Sequence, residues 1–323
     1  MWSFLSMNQL ELYQAFQTQF DVVGVIRTKK YLEKAKSLGI IVPECNYQTM
    51  VVLGLAYPKR TIKHTKTHLV PSFYTFGQDY HTVLKDRIKD VMKDLPYPYE
   101  LGVDNHPHDE RLAATLAGIG YFGKNQLIIN SEYGTYMFLG IVFIDIELLN
   151  EIVLDIHDDC GTCTKCIDAC PVKALSEKGF EINLCMSHYN QAKRVLSDGE
   201  IDSNYALFGC DICQMVCPKN INKGIKTHPE FELSGKELVS VIDLFTDSDQ
   251  VFKKKYEDMS YLWKGKTILM RNALTILLKK KNTLYNDLIE QSLHKYKMPW
   301  YQDTATRVLE KLKKIHESCS ESK

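Results

Sequence analysis

Leu10, Tyr13, Phe16 and Phe20 recur at helical intervals and predict a helix over residues 7–20, after which Asp21-Val-Val-Gly-Val-Ile26 predicts a short buried strand. A second helix is expected at Tyr31–Leu38, ended by Gly39, and the continuous apolar run Thr49–Pro58 suits a central strand. Residues 59–81 carry no such period. They form a loop rich in His, Thr, Tyr and Phe that ends in Phe73-Tyr-Thr-Phe-Gly-Gln-Asp-Tyr-His81, a composition suited to walling a large flat ligand. Val83, Ile88, Val91 and Met92 then mark an amphipathic helix that stops before Pro96. A helix at Asp109–Gly118 and strands at Gln126–Asn130 and Thr135–Ile146 follow, and beyond Pro218 the periodicity is helical at Leu238–Phe245, Lys266–Leu278 and Thr304–Ile315. The tail therefore reads as stacked helical hairpins.

Composition adds little to this picture. Hydrophobic content of 45% and 25% charged residues are ordinary for a globular chain of 323 residues, long enough for two or three domains. Met1-Trp-Ser-Phe-Leu-Ser6 lacks a basic region, an apolar stretch and a cleavage site, and no run of about 18 uncharged apolar residues occurs, so a cytoplasmic, soluble protein without a membrane partner is expected. Charge is more telling. Net charge is +0, yet residues 251–323 carry 16 Lys+Arg against 8 Asp+Glu, an asymmetry that suits either a polyanionic partner or a solvated helical surface.

The chemistry lies in the cysteines. Cys160-Gly-Thr-Cys163-Thr-Lys-Cys166-Ile-Asp-Ala-Cys170-Pro171 has the C-x2-C-x2-C-x3-C-P spacing of a bacterial-type [4Fe–4S] ferredoxin, and Cys210-Asp-Ile-Cys213-Gln-Met-Val-Cys217-Pro218 is a second run one cysteine short, which Cys185 completes. Zinc ribbons also use C-x2-C pairs, but a third cysteine at the same interval and a Cys-Pro closing both runs favour two [4Fe–4S] clusters. A ferredoxin crossover would give Cys160, Cys163, Cys166 and Cys217 to one cluster and Cys170, Cys185, Cys210 and Cys213 to the other. Cys45 and Cys319 stand outside both sets. The glycines at 118, 120 and 123, followed by Lys124, superficially resemble a phosphate loop. They close a helix and enter a strand, so they match neither a P-loop nor a dinucleotide fingerprint and are expected to make a tight turn or let backbone approach a bulky group.

Taken together, Val103-Asp104, Ala117-Gly-Ile-Gly-Tyr-Phe-Gly-Lys-Asn125, Glu132-Tyr-Gly-Thr-Tyr-Met-Phe-Leu-Gly140, both cysteine runs with Cys185-Met-Ser187, and Phe208-Gly-Cys-Asp-Ile-Cys-Gln214 resemble the epoxyqueuosine reductase family. The similarity spans most of residues 8–225, and Trp263-Lys-Gly-Lys266 through Arg271-Asn-Ala273 is similar to the start of that family's helical repeat domain. The resemblance implies an α+β protein in three parts: an α/β cobalamin-binding and substrate-binding domain over 1–150, a two-cluster ferredoxin module over 151–225, and a HEAT-like helical segment over 226–323. It implies cobalamin as a further cofactor and tRNA carrying epoxyqueuosine as substrate, with the epoxide oxygen removed in a two-electron, two-proton reduction that finishes queuosine synthesis. A monomer drawing on an external electron donor is expected.

By the same resemblance Asp104 is the general acid that protonates the opening alkoxide, which at neutral pH calls for a pocket that raises its pKa. The residues alone read Asp104 as a cap or turn before the 109–118 helix. Cobalamin contacts carried over fall on Ser72, Asp104, Ile128, Leu139 and Ser187, while Asp211 either faces the corrin or caps a turn in the cluster loop. Lys193 takes a tRNA-contacting position, joined by Lys253–Lys255 and Lys279–Lys281. The D-x-H-x-x-G motif that ligates cobalt elsewhere is absent; Asp79-Tyr-His81, Asp104-Asn-His106 and Asp155-Ile-His157 all lack its glycine. Two departures from the family stand out. The segment between Ile26 and Thr49 is short and lacks an Arg-x-x-Pro run, and the helical tail has room for little more than one repeat pair. The rival readings are a reductive-dehalogenase-like cobalamin enzyme, a non-catalytic two-cluster electron carrier, and an RNA-binding protein with structural clusters.

Overall fold

The computed structural model describes residues 9–147 and 160–321. The expected domain boundary at 150/151 and the acidic stretch Asp155–Asp159 lie outside the described residues. The chain forms two compact units, neither continuous in sequence: residues 1–59, 80–165 and 216–231 make the first, and residues 60–79, 166–215 and 232–323 the second.

The first unit contains α1 (Gln9–Gln17), β1 (Val22–Arg27), α2 (Thr28–Ser37), β2 (Thr49–Ala56), α3 (Tyr80–Met92), β4 (Tyr99–Gly102), α4 (Glu110–Leu116), the short hairpin of β5 (Tyr121–Phe122) and β6 (Ile128–Ile129), and β7 (Met137–Ile144). Its sheet has the order β1-β2-β7-β4 and is antiparallel throughout. All eight residues of β2 are buried. Burial on both faces explains the unbroken apolar run, and the same run would fit a parallel α/β sheet, so the strand direction was not readable from it. On one face Tyr31 and Ala35 of α2 and Leu112, Ala113 and Ala114 of α4 pack on Ile26, Met50, Val52, Ile141 and Phe143. Gly24 is required here, because a Cβ would fall 2.5 Å from the Ala117 carbonyl oxygen. Helices α1 and α3 contact β1 and β7 and each other. The Arg87 guanidinium joins them further, donating to the Gln19 carbonyl at 2.6 Å and to both oxygens of Glu230 at 2.8 Å.

The second unit contains β3 (His68–Leu69) paired with β10 (Val239–Ser240), α5 (Lys165–Ala169) at the crossing from the first unit, a hairpin of β8 (Leu175–Ser176) and β9 (Gly179–Phe180), and the short helices α6 (Met186–Tyr189), α7 (Asp198–Ser203) and α8 (Ile212–Met215). Helices α9 (Val241–Thr246), α10 (Asp249–Lys255), α11 (Lys266–Lys279), α12 (Asn286–Lys295) and α13 (Pro299–Glu321) follow. The core runs without a break from the cluster-bearing segment into these helices: Tyr189, Leu196, Ile201 and Phe208 share one apolar cluster with Leu269, Ala273, Ile276, Val308 and Leu312. Among the described residues no helix is long and apolar enough to cross a membrane.

Candidate functional site

In the first unit, β4 ends at Gly102 and the chain turns sharply through Asp104 (φ 47°) and Asn105 (φ 27°), two successive non-glycine residues in the left-handed region. Asp104 is therefore a turn residue, and the cap of α4 is Asp109, whose side chain accepts from the Arg111 and Leu112 amides. The Asp104 carboxylate is half exposed and accepts from His81 Nε2 at 3.1 Å and from the Tyr80 hydroxyl at 3.2 Å. A stack of rings fixes those two donors. Phe138 on β7 lies against Tyr57 at 4.3 Å and against Tyr80 at 4.2 Å, and Tyr80 lies on His81 at 4.0 Å.

The His81 hydrogen bond holds the Asp104 carboxyl below the usual carboxylate range, opposed by partial burial. In this structure the hydrogen bond from His81 acts opposite to the expected rise, which the pocket's partial burial alone would favour. The raised carboxyl is instead Glu110, pushed by burial and by the neighbouring Asp104 and Asp109 charges up to about 8, while its Oε1 accepts the Asp104 backbone N–H at 2.7 Å. At neutral pH the site thus contains an ionised Asp104 beside two hydrogen-bond donors and a largely protonated Glu110 behind it.

Ile128 and Leu139 also lie in this unit, Ile128 buried on β6 and Leu139 half-buried on β7, both against the α2/α4 apolar cluster. The glycine-rich stretch resolves as a tight turn. Gly118 leaves α4 at φ 73°, and a Cβ on Gly120 would fall 2.6 Å from the Ile129 carbonyl oxygen. Lys124 grips the first cysteine loop, its Nζ donating to the carbonyls of Gly161 at 2.6 Å and Cys163 at 3.1 Å.

In the second unit Ser72 and Asp211 are both buried and bonded to each other, Ser72 Oγ donating to Asp211 Oδ1. The Phe73 amide donates to the other carboxylate oxygen at 2.9 Å, and the Ser72 amide donates to the Phe208 carbonyl at 2.7 Å. Gly209 permits this approach, since a Cβ there would fall 2.7 Å from that of Ser72. Burial raises the Asp211 carboxyl to about 6, against the two bonds it accepts. Ser72, Phe73 and Asp211 line an open cleft walled by Val70, Phe76 and Met215 and edged by Arg60, Lys63 and Lys280. Ser187 sits on α6, with Gln191 Nε2 donating to its carbonyl at 2.7 Å, and Lys193 is exposed just beyond.

That segment hangs on Arg271, which is 0% exposed. Its guanidinium donates to the carbonyls of Tyr189 at 3.3 Å, Asn190 at 2.9 Å, Ala192 at 2.5 Å and Arg194 at 3.1 Å. Asn272 Nδ2 adds bonds to the Asn190 and Leu207 carbonyls at 2.8 and 2.9 Å.

The thiols gather in two places. In the first unit the Cys217 thiol is raised by burial and by Cys160 and Cys163. In the second, burial and then Cys210, Cys185, Cys166 and Cys170 push the Cys213 thiol far up, and burial likewise raises Cys210 to about 11. The last cysteine of each run thus meets thiols of the other run. Such crowding disfavours thiolates until bound iron supplies compensating charge, which makes the donor set chemically suited to clusters.

Sequence reasoning missed Tyr80, His81, Glu110, Lys124 and Arg271 as parts of these sites. His81 had a signal in its closeness to aromatic residues, and Arg271 had one as a cation inside the apolar run of α11. Nothing local marks Glu110, whose role depends on a turn six residues upstream.

Residues 159–220 match the family model described as a 4Fe-4S double cluster binding domain, and residues 28–106 match the one described as Epoxyqueuosine reductase QueG, DUF1730. The epoxyqueuosine reductase of Lactococcus garvieae (strain Lg2) is 31% identical, covering 83% of this chain and 80% of that protein. The one from Bacillus subtilis (strain 168) is 32% identical over 90% of this chain and 75% of its own length. Among solved structures, the Streptococcus thermophilus enzyme superposes with a TM-score of 0.81 at 26% identity, covering 95% of this chain and 91% of that one. A Bacillus subtilis structure, in which an aspartate-bearing catalytic loop has swung out of the active site, superposes with a TM-score of 0.80 at 28% identity, covering 93% and 89%. A third, with an epoxyqueuosine-modified tRNA-Tyr stem loop, does so at 0.76 and 26% identity, covering 94% and 97%.

Proposed function

Because the chain belongs to the epoxyqueuosine reductase family, we propose that it removes the epoxide oxygen of epoxyqueuosine in tRNA, with Asp104 and His81 delivering the proton that opening the ring demands. The observation that carries this reading is the half-exposed Asp104 carboxylate, held in a left-handed turn against His81 Nε2 and the Tyr80 hydroxyl. The aspartate-bearing catalytic loop of the Bacillus subtilis relative supports it.

Two [4Fe–4S] clusters suit the cysteine set, with Cys160, Cys163, Cys166 and Cys217 holding one and Cys170, Cys185, Cys210 and Cys213 the other. Cobalamin also fits features within each unit. The apolar cleft of the second, edged by Arg60, Lys63 and Lys280, suits a flat macrocycle with an anionic phosphodiester tail, and Ser72, Ser187 and Asp211 would hold it there. By family resemblance Ile128, Leu139 and Asp104 would also be cobalamin contacts. When bound, the clusters supply single electrons and the corrin supplies the nucleophilic metal centre that opens the epoxide.

The protein's own residues manage protons. The overall change takes up two electrons and two protons and releases water. Asp104, ionised by its bond to His81, is a relay rather than a reservoir: a proton donated by imidazolium at His81 Nε2 reaches the alkoxide through the carboxylate, and the Tyr80 hydroxyl fixes the carboxylate's orientation. Lys193 and the basic tail would contact phosphate and position the anticodon arm without reading bases. We also read the protein as a cytoplasmic monomer fed by an external electron donor, built from the three parts 1–150, 151–225 and 226–323.

Asp104→Ala and His81→Gln test this on reconstituted enzyme with epoxyqueuosine tRNA. Both variants are expected to keep iron and corrinoid while turnover falls by about two orders of magnitude or more, the usual scale for general acid catalysis. Wild-type turnover in Asp104→Ala would remove the carboxylate from the chemistry.

A further inference from the structure

Asp104 and Asn105 both occupy a backbone region that side chains disfavour, and such turns persist only where their surroundings hold them. The Asp104 carboxylate is held by His81, Tyr80 and the Asn105 backbone amide. Asn105 Nδ2 reaches Asp104 Oδ2 only at 3.4 Å, and beyond the turn the Asp109 amide donates to the Tyr31 hydroxyl at 2.8 Å. The Asp104 backbone N–H donates to Glu110 Oε1, at 2.7 Å, a bond that ties the turn to a neighbouring helix. Glu110 opens α4, and α4 is anchored by buried Leu112, Ala113 and Ala114 against α2 and the sheet. A rigid helix thereby reaches back six residues to fasten the turn.

We infer that Glu110 is a positioning residue, whose carboxyl oxygen latches the Asp104 turn in the closed conformation that faces the Asp104 carboxylate towards His81 and Tyr80. This rests on the proposed role of Asp104 in turnover. The latch needs an acceptor, not a charge. A second carboxylate so close to Asp104 would repel it, and the raised pKa of Glu110 keeps that repulsion small at neutral pH. Glutamine presents the same acceptor oxygen on the same stem, so it should serve as well as glutamate does.

The experiment compares wild type, Glu110→Gln, Glu110→Ala and Glu110→Ser as full-length protein with reconstituted clusters. Hydrogen exchange over residues 103–106 is measured first, without corrinoid or tRNA. Exchange is expected to rise about tenfold or more in the Ala and Ser variants and to stay within about threefold of wild type in Gln, as loss or retention of one hydrogen bond dictates. Turnover of epoxyqueuosine tRNA should then fall about tenfold or more in kcat for Ala and Ser, with KM for tRNA unchanged, and be restored in Gln. Unchanged exchange in Ala or Ser overturns the latch, as does a Gln variant as defective as Ala. Should truncation unfold the protein, the Gln variant still decides, because accelerated exchange in a folded Gln variant also overturns it. Accelerated exchange with normal kcat, while Asp104→Ala is inactive, overturns the positioning claim alone. An active Asp104→Ala instead sinks the proposed role of Asp104, and exchange still judges the latch.

Discussion

Replacing Arg271 with alanine is expected to cost more stability than any surface change. The guanidinium is fully buried among backbone carbonyls at the end of α6 and beyond, and burial lowers it only to about 10, so it remains a cation at neutral pH. The carbonyl end of a helix carries partial negative charge, which is what this cation meets. A hydrogen bond involving a charged group contributes about 1.5–3 kcal/mol, but four bonds to one side chain are not additive. Removing one partner of a buried charged network costs roughly 3–5 kcal/mol, and we take about 4 kcal/mol as the working figure. For a unit of this size 1 kcal/mol moves Tm by about 2–4 °C, so Arg271→Ala should melt roughly 8–16 °C below wild type. Thermal unfolding followed by circular dichroism, with iron content measured before the melt, reads this directly. Arg271→Lys should fall between the two, since an ammonium cannot fork across four carbonyls. A shift under about 3 °C in Arg271→Ala, with clusters present, would refute the idea that the guanidinium secures the segment bearing Cys185, Ser187 and Lys193.

Lys124→Met is expected to leave the fold intact but to loosen the loop of Cys160 and Cys163, seen as faster loss of iron to a chelator under oxygen-free conditions; an unchanged rate would show that its two carbonyl bonds do not restrain the loop. Asp21 is almost fully buried and accepts from His228 Nε2 at 2.7 Å and the Ala56 amide at 2.8 Å. Burial, the largest single influence, would raise its pKa; the His228 and Ala56 bonds and the His228 and Lys226 charges together outweigh it and hold the carboxyl low, so its contribution is present above the unfolded value near 3.8 and is lost as pH falls through the folded one. Urea unfolding of Asp21→Asn against wild type from acid to neutral pH should show the two curves converging towards the acid end, and parallel curves would contradict this.

Elements set by local pattern were legible from the amino acids. Gly39, at φ 70°, ends α2 as its position predicts, and the buried run at Thr49 became the central β2. The helices α3, α4 and α11 lie where apolar spacing puts them, although α13 begins at Pro299, before the periodic stretch starting at Thr304. The cysteine spacing foretold the double-cluster domain because metal geometry imposes fixed intervals on a chain. Features that depend on tertiary contact were not legible. The antiparallel sense of the sheet is invisible in an all-apolar strand. The depressed pKa of Asp104 needs His81, more than twenty residues away, and the anchoring of residues 189–194 needs a side chain from α11. In each case the decisive partner is remote, and no residue type near the site records it.

The interleaving of the two units has a consequence for how this chain is made. The first unit closes only when residues 216–231 arrive, among them Phe231, whose ring packs edge-on against Phe138 at 5.3 Å. At ordinary translation speeds the ribosome needs on the order of ten seconds to pass from the end of β7 to that phenylalanine. During this interval a nearly finished sheet waits with part of its cover missing, while both cysteine runs emerge. A nascent chain stalled before residue 231 should therefore be protease-sensitive.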